Sequence, residues 1–210
     1  MRTLILCTAL IAMATTAGAQ AVDQAPPEMM QISEAQRLFE AGQYDQALQA
    51  LAQARERGEA GGSAEAFLTA HIHLRRTQTA DAKGDFTRLV ESGDDTWRLV
   101  GQSSIALVDQ NLDAALETAT QAVAQITDRN AQAAAGGEAP AQDPPARVRD
   151  AAAFYQLGLV RSRREDWAGA AEAFAGRSGL ALYGFRQARL LHRRRAFVSA
   201  RTTAAHEHRD

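Results

Sequence analysis

Apolar residues along most of this chain recur at intervals of three and four instead of alternating with polar ones. The pattern is clearest at Ala47, Leu51 and Ala54 and at Ala115, Ala119 and Ala122. Such spacing places the apolar side chains on one face of an α-helix. No stretch shows the alternation of a half-buried strand, so the sequence predicts an all-α fold.

The helical pattern also repeats. A first segment contains Leu38-Phe39-Glu40-Ala41-Gly42-Gln43-Tyr44, and the later segments align with it. The four segments start near Glu28, Ser63, Thr96 and Ala151, at intervals of 35, 33 and 55 residues. The long last interval contains an Ala/Gly/Pro-rich stretch, 131–146, which we interpret as a flexible insertion. The sequence therefore predicts four helical hairpins with an insertion before the fourth.

These segments resemble the tetratricopeptide repeat (TPR), a helical hairpin with a period of about 34 residues. The first segment has a small residue at Ala35, the turn glycine at Gly42 and the aromatic residue at Tyr44, and the fourth has Leu157-Gly158 and Trp167. The resemblance implies a TPR-like solenoid of about four repeats over 28–184, with a C-terminal capping helix and a concave groove.

The two middle segments depart from the family pattern at the turn. Thr77 and Gln110 stand where the glycine is expected, and Thr79 and Leu112 where the aromatic residue is expected. An Ala-rich helical bundle would produce some matches by chance. A period held over four segments favours a true repeat.

Members of this family bind ligands through four positions on the first helix of each unit. The corresponding residues are Met29, Ile32, Gln36 and Phe39, then Ala64, Phe67, His71 and Leu74, then Trp97, Val100, Ser104 and Leu107, and finally Ala152, Tyr155, Leu159 and Ser162. This mostly apolar and aromatic lining predicts a protein or peptide partner in the groove. Aliphatic members such as Val100 could instead pack between helices, whereas we expect Phe67, Trp97 and Tyr155 to be exposed.

The N-terminus has the features of a secretory signal peptide over 1–19. Arg2 gives a positive start, an uncharged apolar run follows over 4–14, and Ala17-Gly18-Ala19 supplies a cleavage site before Gln20. The alternative, a membrane anchor, is disfavoured because spanning a bilayer takes about 20 apolar residues. We therefore expect a periplasmic or secreted protein with a flexible segment at 20–27 and no transmembrane span after cleavage.

Composition and motifs argue against catalysis, metal binding and nucleic-acid binding. The single cysteine, Cys7, lies within the signal peptide, and the net charge of −2 gives no reason to expect nucleic acid. His71 and His73 are two apart on a predicted helix and point to different sides, while His206-Glu207-His208 lies in a polar tail. We expect no enzyme activity, no cofactor and no metal site.

The C-terminal segment, 185–210, is predicted to be a basic helix followed by a disordered tail. Six arginines and no acidic residue lie between Arg186 and Arg201, among apolar residues such as Leu190 and Phe197. Two interpretations compete: a helix that caps the end of the solenoid, or a basic helix that contacts anionic lipid. The cap is favoured because a solenoid needs one.

Together these features predict a scaffold that binds a protein or peptide in its concave groove, in assembly or maturation of the cell envelope. A first alternative is a structural accessory subunit that oligomerises through its end faces and leaves the groove empty. A second is the non-catalytic helical domain of an envelope enzyme.

Overall fold

The computed structural model describes residues 27–58, 61–137 and 144–175, and these residues are all-helical, with no strand. Their eight helices are α1 (Pro27–Glu40), α2 (Tyr44–Glu56), α3 (Gly62–Arg75), α4 (Thr79–Val90), α5 (Asp95–Val108), α6 (Leu112–Ala135), α7 (Pro144–Arg163) and α8 (Trp167–Ala175). The signal peptide, the segment 20–26 and the basic C-terminal segment lie outside the described residues. Within the described residues, no helix is both long and apolar enough to cross a membrane.

Four of the helix connections are the same tight turn. A left-handed residue follows α1, α3, α5 and α7 in turn: Gly42 (φ 79°), Thr77 (62°), Gln110 (62°) and Glu165 (63°). After α1 the Gln43 N–H donates to the Leu38 carbonyl at 2.9 Å and the Gly42 N–H to the Phe39 carbonyl at 3.0 Å, and the other three turns repeat both bonds. This pair of bonds is the Schellman motif, which satisfies carbonyls at a helix end.

The turns join the helices into four antiparallel pairs. Each helix contacts the next along the chain from α1 to α8. Contacts also form among the odd-numbered helices, since α1 contacts α3, α5 contacts α7, and α7 reaches back to contact α3. We call α3, α5 and α7 the inner helices.

The core is continuous across the inner helices. Its largest cluster contains Phe67, Phe86 and Val100, all fully buried, together with Ala152 and Tyr155 of α7. Smaller clusters join α1 and α2 to α3 through Ala35, Leu51 and Ile72, and α6 to α7 and α8 through Ala115, Val160 and Ala173. Burial of one such phenylalanine contributes about 2–3 kcal/mol relative to an exposed side chain.

Close crossings between helices depend on two glycines. A Cβ on Gly101 of α5 would lie 2.7 Å from the Phe86 carbonyl oxygen and 3.0 Å from the Leu89 Cβ. A Cβ on Gly158 of α7 would lie 2.5 Å from the Phe174 ring. The α4–α5 and α7–α8 pairs therefore approach at distances that only glycine allows without movement.

The insertion is shorter than the sequence predicted. Helix α6 continues through Ala131 to Ala135 and α7 already begins at Pro144, so only 136–143 connect them. The prediction of a flexible segment over all of 131–146 is therefore wrong at both ends. Ala-rich composition extends α6, and Pro144 suits the first position of a helix, where its missing N–H has no helical partner.

Ion pairs fix α7 against the two helices before it. Arg149 donates to the Asp94 carboxylate, which caps α5, at 2.9 Å, and Arg129 of α6 donates to Asp150 at 2.7 Å. The Asp150 side chain is almost fully buried. Such a pair costs a great deal to break once formed, so it holds α7 in its orientation.

Candidate functional site

A cavity of about 700 Å³ opens beside the inner helices. Three groups of lining residues come from them, namely His71, Leu74 and Arg75 of α3, Ser104, Leu107 and Val108 of α5, and Tyr155, Gln156, Leu159, Ser162 and Arg163 of α7. The remaining lining is Thr79 and Phe86 of α4, Gln110 of the third turn and Trp167 of α8. The cavity therefore lies at the C-terminal halves of the inner helices.

The structure brings together seven of the residues that the TPR resemblance assigned to the groove. His71, Leu74, Ser104, Leu107, Tyr155, Leu159 and Ser162 all line the cavity. Their spacing is helical on each inner helix, which is why a repeat register could place them on a common wall.

Other assigned residues are core instead of lining. Phe67 and Val100 are fully buried and Trp97 is 7 % exposed, so the expectation of exposed aromatic side chains is wrong at Phe67 and Trp97. The reason is the return of α7 to α3, which covers the N-terminal halves of the inner helices. The Phe67 ring centre lies 5.8 Å from that of Trp97 and 6.2 Å from that of Tyr155.

The expectation of exposure is wrong at Tyr155 as well, since this residue lines the cavity but is only 5 % exposed. Ala152 is fully buried, and Ala64 is half-buried against the main cluster.

The first hairpin does not contribute to the cavity lining. Gln36 of α1 is buried and donates to Glu40 at 3.2 Å, while the half-buried Phe39 packs 5.8 Å from Tyr44. Met29 and Ile32 belong to α1, and their side chains lie outside the described residues. The part of the predicted groove assigned to this hairpin is therefore separate from the cavity.

His71 is held as a neutral imidazole in the cavity wall. Its ring contacts Phe67, Phe86 and Tyr155 edge-on, at centre distances of 4.5, 5.6 and 5.4 Å. Burial, followed by the charge of Arg75, lowers the pKa of His71 to about 3. Its Nε2 atom is buried and has no hydrogen-bond partner among the described residues, which leaves a polar group to be satisfied by a ligand or water.

Tyr155 of α7 and Arg75 of α3 interact electrostatically at the cavity wall. The positive charge of Arg75 acts on the Tyr155 hydroxyl. Burial raises the pKa of Tyr155, with a smaller contribution from the Glu40 charge, and Arg75 opposes both. The phenol therefore stays protonated at neutral pH.

Gln156 presents a second buried polar group. Its Nε2 donates to the Ser103 hydroxyl at 3.2 Å, and that hydroxyl donates to the Ala115 carbonyl at 2.8 Å. This chain orients the amide, and its Oε1 has no partner among the described residues. Gln156 thus resembles His71 in carrying an unused hydrogen-bonding atom at a cavity wall.

The cavity lining differs in charge from the chain as a whole. The chain carries 25 acidic and 23 basic residues, yet the lining contains Arg75 and Arg163 and no Asp or Glu.

Sequence reasoning missed both arginines, along with Gln156 and Trp167. A signal existed for α7, because 155, 156, 159, 162 and 163 continue one face at the helical period.

Comparisons with protein-family models, with curated proteins and with solved structures give no match. Among the described residues, no group of three or more His, Cys, Asp or Glu side chains could hold a metal ion.

Proposed function

We propose that this chain is a TPR-like scaffold that binds a protein or peptide segment in the cavity along its inner helices. The observation that carries the proposal is that three successive hairpins each place first-helix side chains on one cavity wall. Half-buried leucines there, Leu74, Leu107 and Leu159, offer apolar surface to a partner's side chains.

The repeat geometry supports the TPR-like assignment. The left-handed turn residues follow one another at 35, 33 and 55 residues, the same intervals as the segments aligned in the sequence. Thr77 and Gln110 adopt this conformation although they replace the family's glycine. The departures at these two turns therefore leave the hairpin intact.

Binding is favoured over catalysis by the state of the polar groups in the cavity. A histidine with a pKa of about 3 is a weak base at neutral pH. The hydroxyls of Ser104 and Ser162 donate to the Val100 and Gly158 carbonyls of their own helices, at 2.8 Å each. Neither serine is paired with a base in the part of the chain that the structure describes.

The proposed setting is the periplasm or the outside of the cell, in assembly or maturation of the envelope. Residues 1–19, with their positive start, apolar run and small residues before Gln20, support export. The partner would then be another exported protein.

Capture from an envelope extract tests the proposal. The purified mature chain is compared with Ser162→Trp, which places an indole in the cavity, and with Gln125→Trp, which adds the same side chain at an exposed position of α6. We expect wild type and Gln125→Trp to retain the same partner and Ser162→Trp to lose it. Equal retention by all three at unchanged helicity would refute the cavity as the binding site.

A further inference from the structure

We propose that the cavity selects an acidic peptide segment, in which side-chain carboxylates lie beside apolar residues. This inference rests on the proposed function and names the chemistry of the ligand. It follows from the combination of two cationic side chains, two unused neutral polar atoms and an apolar wall in a cavity without acidic lining.

Arg163 of α7 supplies one positive charge at the cavity wall. Three arginines lie near the end of α7, and two of them already have acidic partners: Arg161 lies 3.9 Å from Asp166, and Arg164 donates to Asp113. Arg163 is exposed, lines the cavity and forms no ion pair with a described residue. A carboxylate in the cavity would supply that partner in a charge-assisted bond.

Arg75 adds a second cation from α3. A guanidinium has five N–H donors, so Arg75, which lines the cavity, can donate to a ligand there. Glu40, whose charge acts on Tyr155, lies outside the lining and accepts a hydrogen bond from the Gln36 amide. The field inside the cavity therefore favours anions.

His71 and Gln156 add specificity of a different kind. Both are at least nine-tenths buried, and each has a polar atom without a partner in the described structure. A peptide has amide N–H and carbonyl groups along its backbone, which can satisfy such atoms. A small inorganic anion would leave the leucine wall uncovered, so the segment of a polypeptide matches the whole lining better.

The chain's own Arg-rich segment is a poor occupant on the same grounds. Its six arginines between 186 and 201 would meet Arg75 and Arg163 with like charge. Charge complementarity thus favours a separate acidic polypeptide.

Selection from random peptide libraries tests the inference. Peptides are displayed in two formats, one flanked at both ends and one with a free C-terminus, and are selected on the wild-type chain and on Ser162→Trp. We expect some peptides of the flanked format to be enriched on wild type but not on Ser162→Trp. These peptides should be rich in Asp and Glu together with apolar residues.

Charge reversal supplies the matched control. Arg163→Glu should weaken the selected peptides by about tenfold or more, the effect of losing one charge-assisted hydrogen bond. Arg164→Glu makes the same change at the next residue, outside the lining, and should leave affinity within about twofold. Replacing Glu with Gln in the peptide should also weaken binding to wild type, but by less than Arg163→Glu, because it removes the attraction without adding repulsion.

The other outcomes overturn the inference in distinguishable ways. If the peptides enriched on wild type but not on Ser162→Trp show no excess of Asp and Glu, the acidic preference is refuted. Binding of peptides in the cavity is then still supported. Enrichment confined to peptides with a free C-terminus would mean that the cavity recognises a terminal carboxylate and not acidic side chains. If no peptide of either format is enriched on wild type relative to Ser162→Trp, peptide binding in the cavity is refuted altogether.

Discussion

The N-terminal and C-terminal halves of the inner helices differ in whether their repeat-register residues are buried in the core or line the cavity. In the N-terminal halves, Phe67, Trp97 and Ala152 are packed against one another because α7 reaches back to α3. In the C-terminal halves, His71, Leu107 and Leu159 are positions of the same repeat register, yet they line an open cavity. The difference shows that the register defines a helix face, whereas contacts between distant helices decide which part of that face is core.

The largest expected effect is a loss of stability in the packed half. Phe67→Ala removes a fully buried ring that contacts Trp97, His71 and Tyr155, and should lower the free energy of unfolding by about 3–5 kcal/mol. Leu159→Ala in the cavity half should cost about 1 kcal/mol, because Leu159 is only half-buried. Urea titration of both variants measures the contrast, and equal losses would contradict it.

A smaller loss is expected at the close approach of α4 and α5. Gly101→Ala should destabilise by about 2 kcal/mol, since the new methyl would meet the Phe86 carbonyl. Gly84→Ala on α4 is the matched control, because its Cβ enters open space and it should gain about 0.5–1 kcal/mol from helix propensity. If thermal unfolding shows that both variants change stability in the same direction, α4 and α5 are not as close as described.

His71 lies at the boundary between the halves and should make stability depend on pH. Its folded pKa of about 3 is below the unfolded value, so between these values only the unfolded chain binds the proton. Stability should therefore fall as pH drops from about 6.5 towards 3. The loss from this group by about pH 5 is about 2 kcal/mol.

The comparison for His71 is His71→Phe, which keeps a ring in the same aromatic setting and cannot titrate. Urea titrations at about pH 7.5 and pH 5 should show a drop in wild-type stability about 2 kcal/mol larger than in the variant. A drop of the same size in both would mean that His71 is accessible to protons in the folded protein.

The smallest expected effect is at the turns that end the cavity half. Gln110 adopts φ 62° without being glycine, so Gln110→Gly should stabilise the chain by up to about 1 kcal/mol. Gly42→Ala reverses the change at the equivalent first turn, where φ is 79°, and should destabilise by a similar amount. If chemical denaturation shows that both variants change the free energy of unfolding in the same direction, the two turns are not equivalent.

Local pattern was enough to predict the helical class, the hairpin intervals and the turn positions, because each depends on residues close in sequence. The TPR resemblance, and not the local pattern, placed Leu107 and Leu159 in one groove, because the family register assigns groove positions on successive first helices. Local pattern could not show that Phe67 and Trp97 are covered, because α7 contacts α3 and α5 from across the insertion. Arg163 and Gln156 were missed for a similar reason: the family register names four positions, and the cavity extends one residue further around α7.

Site-specific photo-crosslinking tests the central claim, that the cavity is where a partner binds. A benzophenone side chain is introduced at Leu107, in the cavity wall, or at Gln125, on the exposed face of α6, and cells that export the protein are irradiated. We expect a defined protein adduct from position 107, lost on adding Ser162→Trp, and none from position 125. An adduct from position 125 alone, or one from 107 that survives Ser162→Trp, would contradict the account.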